Sequence, residues 1–82
     1  MLSASDFQSI RKRASQATPG PWKSYIEGRD HLSGSDFIQT AEDDIELTGA
    51  TVADQDFIAH ARQDIEELLE EVERLRTLVD HQ

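Results

Sequence analysis

Apolar residues recur along the last third of the chain at alternating steps of three and four: Ile58, Ala61, Ile65, Leu68, Val72, Leu75 and Val79. This is the a/d seam of a heptad repeat, sustained over three heptads, and Phe57 and Leu69 widen the stripe. No glycine or proline interrupts residues 55–80. The pattern predicts a helix over 54–80 with Asp54 as its N-cap. At ~1.5 Å per residue such a helix is about 40 Å long. One short helix and a small sheet would leave its far end, EEVERLRTLVD, without a cover. Another copy of the chain is the expected partner there, so self-association through this helix is expected.

The first third carries the same period. Phe7, Ile10, Ala14 and Ala17 predict a helix over 4–17. Ser5 with Gln8 fits a capping box, and Ser3 is the competing cap. Arg11, Lys12 and Arg13 lie in its C-terminal half, where the helix dipole favours cations. The TPGP that follows stops the helix, because proline lacks an amide hydrogen and restricts the residue before it. Trp22 comes next, placed to anchor the turn on a core.

In the middle the period shortens to two. WKSYIE (22–27) reads as a strand with Trp22, Ser24 and Ile26 on one face and Lys23, Tyr25 and Glu27 on the other. DFIQTA (36–41) and DIELT (44–48) read as two more, joined by the acidic turn EDD. The whole predicts an α+β fold in one domain, 1–82: an N-terminal helix, a three-stranded antiparallel β-meander over 22–48, and a long C-terminal amphipathic helix. The first hairpin loop, 28–35, is long for its position.

Composition narrows the function classes. Hydrophobic residues make up 37% of 82, which is lean for a self-sufficient monomer. There is no cysteine, which excludes a disulfide framework and cysteine-ligated metals. The start of the chain lacks the apolar run of a signal peptide, and no stretch approaches the ~20 apolar residues of a membrane span, so a cytoplasmic protein is expected. The net charge of −9 is uneven: +1 over residues 1–40 and −10 over 41–82. Duplex binding needs a positive face, and only the RKR of 11–13 offers one, so nucleic acid is not the expected partner.

The candidate chemistry converges on GRDHLSGSDF (28–37). Arg29 supplies a fork of donors suited to carboxylate or phosphate. Ser33 and Ser35 supply hydroxyls, and Gly28 and Gly34 allow close backbone approach. His31 can donate, accept or stack. Asp30 and Asp36 could accept from ribose hydroxyls or a base amine. Trp22, Tyr25 or His31 could stack on a base. His60 and Arg62, near the start of the last helix, could reach the same ligand. This is the inventory expected for a small anionic, nucleotide-like ligand. The plainer alternative is a polar connection whose aspartates cap local amides. No phosphate-loop or dinucleotide fingerprint is present, and no cofactor is expected.

Three other clusters read as surface. Asp56, His60 and Asp64 stack at steps of four, but the ligand count is poor for a metal. Glu66, Glu67 and Glu70 spell the E-E-x-x-E of helical nucleoside-triphosphate pyrophosphatases, yet no second acidic helix faces them. Arg11, Lys12 and Arg13 point in different directions around their helix. Catalysis is not expected, because a Ser33/His31/Asp30 set within one loop rarely holds triad geometry.

ATPGPW (17–22), followed by DQDFIAHARQDIEELLEEVERLR (54–76), resembles a pair of motifs in small phage and prophage accessory proteins, loosely the Ead-like group. The two motifs cover about a third of the chain. The resemblance implies a phage or mobile-element origin and no particular activity. By analogy with small oligomeric phage proteins that act against host defences, the expected function is sequestration of a nucleotide-like immune signal. The alternative is an acidic protein-interaction module that inhibits a host or phage protein. A metal-dependent nucleotide hydrolase is the outlier.

Overall fold

The computed structural model describes residues 2–80. Two helices flank a two-stranded sheet in the order α1 (Ala4–Gln16), β1 (Lys23–Tyr25), β2 (Phe37–Gln39), α2 (Val52–Asp80). Both helices begin with the same device. In α1 the Ser3 hydroxyl accepts from the Asp6 amide, and the Asp6 carboxylate accepts from the Ser3 amide. In α2 Thr51 and Asp54 exchange the same pair of bonds. The caps are therefore Ser3 and Thr51 rather than Ser5 and Asp54. Aspartate serves three residues into each helix, where its charge also meets the positive end of the dipole.

The strands are shorter than the alternation predicted, three residues each, paired antiparallel with Ser24 opposite Ile38. The expected third strand over 44–48 does not form. Ile45 alone reaches the sheet, exchanging both amide–carbonyl bonds with Ile38 at 2.8 Å. Before it, the Thr40 hydroxyl bonds the Asp43 carbonyl and closes the turn. After it, the Glu46 side chain turns to Ser35 and the chain bends at Thr48–Gly49. The face assignment of β1 is as read: Ser24 and Ile26 are buried, Lys23 and Glu27 exposed.

The core is small: Phe7, Ile26, Ile38, Ala59 and Leu69. α1 runs antiparallel along α2. Arg11 pairs with Glu73, and the guanidinium of Arg76 lies 4.8 Å from the Phe7 ring centre. At the other end of α1, the ATPGPW turn is clasped by α2. Gln63 accepts from the Trp22 amide at 2.8 Å and donates to its carbonyl at 3.0 Å. Both the Trp22 indole and Arg62 donate to the Thr18 carbonyl, at 3.0 and 2.9 Å. Gly20 lies against α2 here: a Cβ at this position would stand in ordinary contact with Gln63 at 3.4 Å and Arg62 at 3.5 Å.

Sheet, turn and α1 together flank α2 along nearly its whole length, on one side only. What stays open is a face rather than the far end. The residues turned inward are Gln55, Ala59, Arg62 and Leu69, and each of the last three directly follows a seam residue: Ile58, Ala61, Leu68. One residue is about 100° of helix rotation. The chain's own packing thus uses a stripe roughly a quarter-turn from the a/d seam. The seam runs from Val79 at 68% and Leu68 at 62% exposed to Ile65 at 40% and Ile58 at 39%, with Ala61 and Val72 half-buried.

Candidate functional site

The 28–35 loop is built rather than slack. Ile26 accepts at its carbonyl from the Asp30 amide at 2.8 Å, and its own amide donates to the Asp30 carboxylate at 2.9 Å. Gly28, at φ 84°, makes this turn and donates to the His31 carbonyl. The Asp36 carboxylate accepts from the Glu27 amide. Both aspartates considered as ribose or base acceptors therefore bond local amides. The amide bond of Ile26 is the main reason the Asp30 carboxyl lies below its ordinary range.

Arg29 reaches across to α2. Its two terminal nitrogens bond the two oxygens of Asp56 at 2.9 and 3.0 Å, and Nε bonds Asp30 at 2.9 Å. The planar fork matches a carboxylate in the two-point manner that suits arginine. Hydrogen bonds from Arg29 first, and from Ser24 second, hold the Asp56 carboxyl down to about 2. The pair pushes the Arg29 guanidinium further above its already high range. The clasp fastens the hairpin to the first turns of α2.

Around this clasp lies an open depression of about 370 Å³ lined by Trp22, Lys23, Ser24, Arg29, Asp30, Asp56 and His60. Four of the predicted site residues meet here: Trp22, Arg29, Asp30 and His60. The others lie elsewhere. Tyr25 stacks on Phe37 at 5.0 Å between ring centres, and His31 packs on the same ring at 5.7 Å, with Nδ1 2.7 Å from the Ser33 carbonyl. Ser35 donates to Glu46. Arg62, 8% exposed at its side chain, is taken up by Thr18 and Glu66.

Sequence reading missed Gln55 and Gln63, and it placed Asp56 in a surface stripe with His60 and Asp64 rather than against Arg29. Gln55 is buried, and its amide nitrogen lies within bonding distance of Ser24 Oγ, the Phe37 carbonyl and the Tyr25 carbonyl. The one available signal was position: two glutamines eight apart on a helix, both off the seam.

A second concavity, about 560 Å³ and mostly apolar, opens between the helices. Ile10, Arg13 and Ala14 of α1 and Ala17 just after it line it with Trp22, Ile58, Ala61 and Ile65. It is continuous with the exposed seam of α2. Among the described residues no cluster of three or more His, Asp or Glu could hold a metal ion, and no helix is long and apolar enough to cross a membrane. Comparison with protein-family models, curated proteins and solved structures finds no match to this chain.

Proposed function

We propose that this chain is a protein-interaction module whose binding element is the a/d face of α2. One observation carries the reading: the seam stays open after the chain's own core has formed, because internal packing uses the neighbouring stripe. Contiguous apolar surface of this kind, rimmed by charge, is the mark of an interaction site. The outer rim of Asp64, Glu67 and Glu71 disfavours nucleic acid and favours neutral or basic protein surface. The test is native mass spectrometry of the chain isolated gently from cells, beside Leu68→Asp. A complex present only in the unmodified protein is the expected result. Free chain in both samples overturns the reading.

A second reading, a small anionic nucleotide-like ligand, has its own support in the meeting of Trp22, Arg29, Asp30 and His60 at one depression. A ligand there would compete with Asp56 for Arg29. Sequestration of an immune signal adds to this reading an analogy with other small oligomeric phage proteins.

A further inference from the structure

We propose that the occupant of the open face is a second copy of this chain, with the two α2 helices side by side and parallel. The inference rests on the interaction reading and names its partner.

Surface area gives the first argument. Folded monomers of 9.3 kDa expose about 5,000 Å². This chain exposes 6226 Å². The excess, about 1,200 Å², exceeds the ~800 Å² per partner of a standard interface. The radius of gyration tells the same story, at 16.0 Å against about 12 Å for a compact chain of this length.

The shape of the seam suits a parallel pair. It runs from Ile58 to Val79 without a break, and a parallel two-fold sets every residue against its own counterpart. The Ala61 layer then meets a small layer, and the Leu68 and Leu75 layers meet large ones. A two-stranded seam with Ile and Val at a and Leu at d is also the pattern that parallel pairs prefer, as Ile58, Ile65, Val72, Leu68 and Leu75 provide.

Charge decides the direction. On one side of the seam α1 carries Arg13, beside Ile58, Ala61 and Ile65. On the other side, at the same level, stand Asp64 and Glu67. Among the described residues none of these three has an ion-pair partner. A parallel two-fold exchanges the two flanks, so Arg13 of each copy meets the acidic row of the other. An antiparallel two-fold centred on Leu68 sets the acidic row of one copy against that of the other and takes Arg13 away from it, which costs affinity.

Sedimentation velocity provides the test. The unmodified chain sediments as a dimer, and Leu68→Asp sediments as a monomer with its helical circular dichroism intact. Arg13→Asp weakens association by roughly tenfold, and adding Asp64→Arg restores most of it. The chain has no cysteine. Leu75→Cys therefore gives a clean directional readout: oxidation links parallel helices at this layer and leaves antiparallel ones unlinked. A monomeric unmodified chain, a dimer that Leu75→Cys does not link, or a charge swap that restores nothing overturns the inference. Monomer in sedimentation leaves the interaction reading standing as long as the mass spectra of unmodified chain and Leu68→Asp still differ.

Discussion

Leu68 and Leu69 are adjacent in sequence and face opposite fates: Leu69 is buried toward α1, while Leu68 is 62% exposed. Their separation of about 100° on α2 divides the helix into a face that completes the fold and a face that does not. Replacing each by alanine should separate the two roles. Leu69→Ala opens a cavity in a core of only five apolar residues and should lower stability by about 2–4 kcal/mol. Leu68→Ala should change it by under about 0.5 kcal/mol at concentrations where the chain is monomeric. Urea denaturation of both variants, at low and high protein concentration, checks this. Equal losses at low concentration would refute the division.

Gln55 joins α2 to both strands through one amide nitrogen, donating where Ser24 Oγ and the Phe37 carbonyl are the nearest acceptors. Gln55→Glu keeps the shape and removes the donor, setting a carboxylate against a carbonyl in a buried site. A loss of about 2–4 kcal/mol is expected at neutral pH. Part of it should return in acid, where the introduced carboxyl can protonate and donate. Urea titrations at two pH values measure both effects, and a neutral substitution would remove Gln55 from the core of the fold.

Much of the fold was legible because much of it is local. Helix period, the break at Pro19–Pro21 and the anchoring Trp22 depend on residues a few positions apart, and all are found where the pattern placed them. Errors arose where local signals tie. Ser3 and Ser5 both suit a cap, and Thr51 and Asp54 both suit one; the choice falls in each case to the residue with an aspartate three positions on, Asp6 for Ser3 and Asp54 for Thr51. DIELT alternates like a strand, yet only Ile45 finds free backbone on β2. The site was less legible still. Arg29 and Asp56 are 27 residues apart, and nothing in either neighbourhood announces that a loop arginine will spend its donors on a helix carboxylate. The seam itself was visible as a period; that the core would use the adjacent stripe was not.

The Arg29–Asp56 clasp makes stability depend on pH in a definite direction. Asp56 titrates at about 2 in the folded chain, below its ordinary 3.8, and Asp30 is lowered as well. A lowered folded value means the stabilisation is fully present above the unfolded value and fades as pH falls through the folded one. Stability should therefore hold from neutral pH down to about 4 and decline between about 4 and 2. Asp56→Asn should flatten that decline and lower the plateau above it. Thermal melts across this pH range, for both proteins, provide the measurement; identical acid limbs would show that the clasp contributes nothing.

The same clasp sets what an anion would meet in the depression beside Trp22. Arg29 already faces two carboxylates, so an incoming phosphate must compete with Asp56 for the fork. Asp56→Asn removes one of the two competing charges and leaves Lys23, Arg29 and His60 around the opening, with Asp30 as its remaining carboxylate. If the depression takes anions, this variant should bind inorganic pyrophosphate more tightly than the unmodified chain, and Arg29→Ala should bind it least. Trp22 is the chain's one tryptophan and lines the depression, so its fluorescence reports binding there directly. A titration in which neither the unmodified chain nor Asp56→Asn responds to pyrophosphate or to a cyclic dinucleotide removes the ligand reading. The α2 seam then remains as the binding element, because its residues take no part in the clasp.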